Sequence, residues 1–315
     1  MEKKIKVFAP ATVANVGPGF DIFGLALEGI GDELEVSLRD DSQIKILPIE
    51  GYEDLPTDPS LNVAGVAIQS MLDELDSQQG FEIVIKKRVM PGSGLGSSAS
   101  SSAAAVYAAN ELLGRPFSKK ELVPFAMEGE KATSGKAHAD NVTPSLLGGF
   151  TLVRSYTPLD VVSIPFPAEL YVAVVHPQIE VKTSDSKRIL KREVALDMAI
   201  SQWGNVAGLV TGLACGDFDL IGRSLEDRIV EPIRSVLIPG YEDAKQHALA
   251  SGALGCSISG SGPSIFALTE GKAMAEKVAQ AFDKYYTDLG IEHKVYISGI
   301  NAEGAKTINK LTEKV

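Results

Sequence analysis

Cysteine, positive charge and long apolar runs are all scarce in this chain. Among 315 residues there are two cysteines, Cys215 and Cys256, far apart in sequence. With no Cys-x-x-Cys pair, zinc-ribbon and dithiol redox chemistry have no support, and each thiol is expected to be buried and reduced. Lysine and arginine number 30 against 41 aspartates and glutamates, a net charge of −11. That balance argues against nucleic acid or an anionic membrane as the main partner, but leaves room for a local basic pocket around a phosphorylated ligand. No apolar run reaches the roughly 18 residues that a membrane span needs. The stretch from Met1 to Phe8 has no signal-peptide core, so the cytoplasm is the expected compartment. Two nucleotide motifs are missing as well. No glycine-rich segment ends in the Gly-Lys-Ser/Thr of a Walker loop; Gly129 to Lys136 has one residue too many between its glycines, and Ala137 where a hydroxyl is needed. The dinucleotide spacing Gly-x-Gly-x-x-Gly does not fit either.

What is present is an ordinary globular composition, 44% apolar and 23% charged, with chain enough for one large or two medium domains. The most informative stretch is Pro91-Gly92-Ser93-Gly94-Leu95-Gly96-Ser97-Ser98-Ala99-Ser100-Ser101-Ser102-Ala103-Ala104. It follows a strand-like segment, 81–85, and runs into an alanine-rich helix that Gly114 would stop. Ser97 or Ser98 is the expected cap. A glycine turn feeding a helix N-terminus collects backbone N–H groups and the positive end of the helix dipole, which suits a polyphosphate. A plain flexible linker has the same composition but does not connect a strand to a helix.

Periodicity places strands at 5–8, 34–38, 44–46, 148–153, 161–165, 170–175, 254–259, 264–269 and 294–300. Helices fall at 61–75, with Ser60 as a possible cap, at 119–127, 137–147, 186–214, 217–227, 241–251 and 272–288. Residues 170–175 are continuously apolar, as in a strand buried on both faces. Strands follow one another without intervening helices, which points to α+β layers with a boundary near 150–165.

Four further segments could carry chemistry. Asn15 and Asp21 lie in a loop bounded by proline and glycine, where an asparagine is first a turn residue. Glu130 and His138 sit in a polar stretch; a polyphosphate needs a divalent cation, and magnesium takes one or two protein oxygens plus phosphate oxygens. Cationic groups cluster at Lys182–Arg188 and at Arg234, where a solvated surface is the simpler reading. Ser257 to Ser264 is a second glycine turn, either a hairpin or a backbone surface near a ligand.

In order and wording these segments resemble the GHMP kinase superfamily over about residues 5–300. The opening loop, the Gly-Leu-Gly-Ser-Ser-Ala loop and Gly260-Ser261-Gly262-Pro263-Ser264 match its three motifs. The opening Ala-Thr-Val-Ala-Asn to Phe20-Asp21 and His138-Ala139-Asp140-Asn141 point to the branch that phosphorylates L-homoserine for threonine synthesis. The resemblance implies an α+β fold. Residues 1–160 would form a domain like domain 2 of ribosomal protein S5, and residues 161–315 a ferredoxin-like domain. It implies ATP with Mg2+, and a homodimer. ATP would meet Asn62 near the adenine, Pro91, Gly92, Ser93, Gly94, Leu95, Gly96, Ser97, Ser98, Ala99, Ser100 and Ser101, together with Gly260, Ser261 and Gly262. Ser98 and Glu130 would hold the magnesium. Asn15, Asp21, His138, Asn141, Thr183, Lys187 and Arg234 would surround homoserine, with Asp21 facing its ammonium and Arg234 its carboxylate.

The chain departs from the family pattern twice. Lys187 stands where Thr-x-x-x-Arg has arginine, with Arg188 next to it, and a lysine gives no bidentate fork. The phosphate loop is one residue short before Gly94, with Met90 placed to take up the difference. Asp185 is near a position that some relatives use for a base; the γ-phosphate itself could equally take the proton. Two rivals remain open at this level. A kinase for mevalonate would not need Asp21, and a non-catalytic metabolite-binding protein would not need Ser98 and Glu130 together.

Overall fold

The chain's longest strand, β2 (Phe23–Arg39), organises the first sheet in a computed structural model that describes residues 4–135, 138–179, 181, 186 and 188–308. Leu34 and Val36 turn into the core while Glu33 and Glu35 face outward, the period of two that a half-buried strand requires. β1 (Lys4–Ala14) runs antiparallel along β2, with a register shift between Pro10 and Thr12. Proline has no N–H for the ladder and is tolerated at such an irregularity. One end of β2 pairs with β4 (Gly80–Lys86), the other with β5 (Phe150–Tyr156). β3 (Ile44–Ile46) lies parallel to β4, and β6 (Leu159–Ile164) antiparallel to β5.

The second sheet has the order β10-β7-β9-β8, with every pair antiparallel. Its strands are β7 (Leu170–Pro177), β8 (Gly255–Ile258), β9 (Ile265–Glu270) and β10 (His293–Gly299). With long helices after β7 and β9, this is the βαββαβ path of a ferredoxin-like unit, as the resemblance implies. The chain then returns, and β11 (Lys306–Thr307) pairs with β1 in the first sheet.

Helices α1 (Val63–Glu74), α2 (Ser97–Leu112), α3 (Val123–Ser134) and α4 (Ala139–Leu147) share one core with the first sheet. α2 is nearly all buried, and its alanines and serines let it lie close against β1 and β2. On β7, Val172 and Val174 join the core between the sheets, while Ala173 and Val175 join the core under α8 (Tyr241–Ala250) and α9 (Lys272–Asp288). The apolar run at 170–175 is therefore two-faced, as read.

Several local expectations change. Asn62, not Ser60, caps α1, its Oδ1 accepting from the Ala64 N–H at 2.9 Å; the Ser60 hydroxyl goes to Asp58. Gly96 caps α2 with no side-chain bond, because the Ser97 hydroxyl donates to the Val89 carbonyl at 2.8 Å. The helix expected over 186–214 is interrupted: Ser186 and Arg188 are helical, and the long helix α5 spans Leu196–Cys215, followed by α6 (Phe218–Ser224). Cys256 is buried but Cys215, at the end of α5, is exposed. Among the described residues no helix is long and apolar enough to cross a membrane.

One buried network fixes α2 to the sheet. Asp32 on β2 and Lys87 just past β4 form an ion pair with side chains 0% and 3% exposed. The second oxygen of Asp32 accepts from the backbone N–H groups of Arg88 at 2.9 Å and Val89 at 3.1 Å, and Ser101 donates to the first at 2.8 Å. Lys87 also donates to the Ser97 carbonyl and the Ser101 hydroxyl. Removing one partner strands a charge in the interior, at a cost of about 3–5 kcal/mol. Lys87→Met should therefore lower stability by that order in urea denaturation. Adding Asp32→Leu should not restore it, because two backbone donors then lose their acceptor, at roughly 1–3 kcal/mol each. Wild-type stability in the double variant would show that the backbone bonds contribute nothing.

Candidate active site

A cleft of about 520 Å3 opens between the first-sheet unit and the segments that follow β7. Its floor is the loop before α2. Gly94 and Gly96 take φ of 80° and 62°, a region that glycine enters without strain. There is also no room for a side chain. A Cβ on Gly94 would stand 2.5 Å from the Ser259 carbonyl, and one on Gly96 2.0 Å from the Thr12 hydroxyl. The loop carbonyls are tied backward: Ser93 O accepts from Ser264 N at 3.2 Å, Gly94 O from the Ser259 hydroxyl at 2.7 Å, and Leu95 O from Thr12 N at 3.1 Å. Ser93 N donates to Met90 O at 3.3 Å, so a tight turn absorbs the missing residue. With no side-chain cap on α2, its first-turn N–H groups lie open toward an anion at the positive end of the dipole.

Above the loop lie Ser98, Glu130, Asp140 and Asn141. Glu130 and Asp140 are buried, at 5% and 2% exposure. Burial pushes the Asp140 carboxyl from 3.8 up to about 6; nearby His138 opposes this, while Asp21 and Glu130 add to it. Among the described residues, no three His, Cys, Asp or Glu side chains gather as a metal cluster. A hard cation would draw one carboxylate and one hydroxyl from the chain, here Glu130 and Ser98, and the rest from phosphate and water. That is the donor set magnesium prefers.

The far wall carries groups of opposite charge. Asn15 and Asp21 both take left-handed φ, 56° and 58°. The Asp21 N–H donates to Asn15 Oδ1 at 2.8 Å, and Asn15 Nδ2 donates to the Gly260 carbonyl at 2.8 Å. His138 Nδ1 is 3.5 Å from Asp21 Oδ1 and 3.9 Å from Asp140 Oδ1. Arg234, at the end of α7 (Glu231–Arg234), is 3% exposed. Two of its donors go to the Gly260 and Ser186 carbonyls at 3.0 and 3.3 Å, and its guanidinium lies 4.9 Å over the Phe20 ring. Burial lowers its pKa, while Asp21, Asp227 and Asp140 raise it.

The cleft thus gathers Asn15, Asp21, Asn62, Pro91, Gly92, Gly94, Gly96, Ser97, Ser98, Ser101, Glu130, His138, Asn141, Arg234, Gly260 and Ser261. Ser93, Leu95, Ala99, Ser100 and Gly262 are buried and not among its lining residues; the Ser100 hydroxyl donates to the Ala9 carbonyl at 2.8 Å. The Asn62 carboxamide, expected near adenine, also caps α1 and donates to the Pro56 carbonyl at 2.7 Å. Thr183, Asp185 and Lys187 lie outside the described residues; Arg188 is exposed. Three parts of the cleft were not read from the sequence: Asp140, Lys87, and an apolar slot of Ile49, Leu55, Pro56, Leu61, Val63 and Ile85. Outside the lining, the Tyr156 hydroxyl donates to the Asp21 carbonyl at 2.9 Å. Only Asp140 carried a signal, as part of the quoted His138–Asn141 stretch.

Known proteins align with the whole of this arrangement. Residues 62–149 match the family model of the GHMP kinases N terminal domain, and residues 209–288 that of the GHMP kinases C terminal. A homoserine kinase of Chloroherpeton thalassium is 48% identical, over 97% of this chain and 100% of its own. One of Chlorobium phaeobacteroides is 44% identical, over 97% and 100%. A crystal structure of homoserine kinase from Cytophaga hutchinsonii superposes with a TM-score of 0.95 at 53% identity, covering 98% of both chains.

The raised carboxyl has a consequence for stability. Between pH 3.8 and about 6 the folded chain holds a proton on Asp140 that the unfolded chain has lost. Stability from this group is therefore lost as pH rises through that window and stays lost above it. In the ligand-free protein Asp140→Asn should be the more stable form at pH 7.5, by roughly 1–3 kcal/mol. The gap should close toward pH 4. Denaturation at both pH values checks this, and an equal difference at each would remove Asp140 from the strained group.

Proposed function

The chain belongs to the GHMP kinases, and within them to the homoserine kinases, and from that premise we propose that it transfers the γ-phosphoryl group of ATP to the side-chain hydroxyl of L-homoserine, giving O-phospho-L-homoserine on the way to threonine. One observation carries the reading: an anion-binding helix terminus faces a carboxylate and a guanidinium across a single cleft. A polyphosphate and a zwitterion have the matching ends. The cytoplasm, with Mg·ATP available, is the proposed compartment. Residues 1–160 and 161–315 are the proposed domains, with the end of β6 and the returning β11 completing the sheet of the first. The exposed stripe of Leu196, Ile200 and Trp203 on α5 supports a homodimer.

In this reading the loop 91–96 and the first turn of α2 hold the phosphates, and the apolar slot takes the nucleobase. Asp21, held by Asn15, meets the ammonium, and Arg234 the carboxylate. Glu130 and Ser98 would hold magnesium, which would supply positive charge against that of the phosphates. The homoserine oxygen forms a bond to γ-phosphorus as the bond to the bridging oxygen breaks and ADP leaves. Catalysis is then mostly positioning and charge stabilisation. The hydroxyl proton passes to the transferred phosphoryl group. Asn141 cannot take it, because a carboxamide has no basic site at neutral pH.

A second route for that proton is favoured by Asp140, a buried carboxyl in the cleft with its pKa moved toward neutrality. Asp140→Asn separates the two. Transfer to phosphate leaves kcat within about tenfold, whereas loss of a general base costs roughly 100-fold or more.

Magnesium-dependent ATP turnover with L-homoserine, with mevalonate and with no alcohol tests the function. Turnover with homoserine alone is expected. Mevalonate as the preferred acceptor would make the chain a different GHMP kinase, and no turnover would make it a binding protein. Glu130→Ala should abolish turnover in a folded protein, and retained activity would take Glu130 out of the metal site. Asp21→Asn should raise KM for homoserine far more than KM for ATP; equal changes would make Asp21 a turn residue only.

The carboxylate end gives a sharper comparison. Leaving a desolvated carboxylate without its partner costs about 2–5 kcal/mol. Arg234→Ala should lose roughly 30-fold or more in kcat/KM for homoserine. Lys187 keeps the sequence register of the family arginine, and Arg188 is exposed. Lys187→Ala should thus be costly and Arg188→Ala nearly neutral. The reverse result would assign the second cation to Arg188.

A further inference from the structure

Thr12 has no place on the cleft wall, yet it touches two parts of the site. It lies on β1 where the register with β2 shifts, and it is fully buried. Its backbone N–H donates to Leu95 O in the phosphate loop at 3.1 Å, and its hydroxyl donates to Asn141 Oδ1 at 2.7 Å. Gly96 leaves the space the hydroxyl occupies, since a Cβ there would stand 2.0 Å from Thr12 Oγ1 and 2.8 Å from Asn141 Oδ1.

A carboxamide has one accepting and one donating end, and its two orientations have nearly the same shape. The surroundings must therefore select one. A buried hydroxyl has a single proton to place. In the observed orientation Asn141 Oδ1 takes it. In the reverse orientation that proton would lose its acceptor in the interior, a substantial penalty for a buried polar group. We infer that Thr12 is a positioning residue: by holding Asn141 Oδ1, it keeps the Asn141 NH2 group turned into the cleft as a hydrogen-bond donor.

This rests on the reading that Asn141 faces the reacting groups. A donor there stabilises negative charge as it shifts between the attacking oxygen and the phosphoryl oxygens. An Oδ1 in its place would repel the same charge. The effect falls on the transition state more than on either bound substrate, so it belongs in kcat.

Steady-state kinetics on Thr12→Val, Thr12→Ser, Asn141→Ala and the double variant Thr12→Val/Asn141→Ala tests this. Asn141→Ala should lower kcat about 100-fold. Thr12→Val should lower kcat about tenfold, with both KM values within about twofold, and Thr12→Ser should restore it. The double variant should match Asn141→Ala, because Thr12 acts only through Asn141. If the valine crowds Gly96 and the protein does not fold, Thr12→Ala gives the same comparison. A wild-type kcat in Thr12→Val beside a damaged Asn141→Ala overturns the inference and leaves the kinase reading intact. A double variant about tenfold below Asn141→Ala overturns it too, since Thr12 would then act through the strand. A wild-type kcat in Asn141→Ala removes both the role of Asn141 and this inference.

Discussion

Two glycine turns meet backbone to backbone at the centre of this molecule, and the site depends on that contact. Gly94 belongs to the phosphate loop, Gly260 and Gly262 to the turn between β8 and β9. A Cβ on Gly94 would lie 2.5 Å from Ser259 O and 2.9 Å from Gly262 O; one on Gly260 would lie 3.0 Å from Gly94 O. No side chain fits between them. The contact turns the loop carbonyls away from the cleft. On its other side it presents the Gly260 carbonyl to Asn15 and Arg234 together, at 2.8 and 3.0 Å. One backbone oxygen thus joins Arg234, assigned to the carboxylate, to Asn15, which holds the Asp21 assigned to the ammonium. The phosphate end and the zwitterion end share one piece of backbone.

The serine run shows what a sequence reveals and what it hides. Composition and the flanking segments are enough to read a glycine turn feeding a helix N-terminus, and matched motifs pick out Glu130, Asn141 and Arg234, which the fold brings to one cleft. The separate tasks of the serines were not legible. Ser97 holds the Val89 carbonyl, Ser100 the Ala9 carbonyl and Ser101 the buried Asp32, while Ser98 lines the cleft. On a helix, neighbours point about 100° apart, so the hydroxyls of a serine run are spread over different surroundings. Which surroundings they meet depends on strands far away in sequence.

The same reason hid Asp32, Lys87 and Thr12. Each is a single polar residue in or beside a strand, where the pattern alone predicts a solvated position. Their partners lie 55 residues away for the ion pair and 129 for Thr12 with Asn141. Local periodicity carries no information at that range, and only the folded chain makes these residues buried and satisfied. The caps failed for a related reason. Ser60 and Ser97 are good caps by type, but Asp58 and the Val89 carbonyl compete for their hydroxyls.

Charge explains why a site for anions sits in an acidic protein. The net charge of −11 repels a polyphosphate at long range, and the cleft adds Asp21, Glu130 and Asp140. Of its cations, Lys87 is paired with Asp32, while Arg234 keeps its charge and acts on Asp21 and Asp140. Burial raises the Asp140 carboxyl most, and Asp21 and Glu130 add to it, so the cleft crowds carboxylates in a poorly solvated place. In the proposed function a divalent cation beside Glu130 and an ammonium beside Asp21 would each offset carboxylate charge, and phosphates set between them would meet positive charge from both sides. The crowded carboxylates would then cost least with both substrates bound, the state in which transfer would occur.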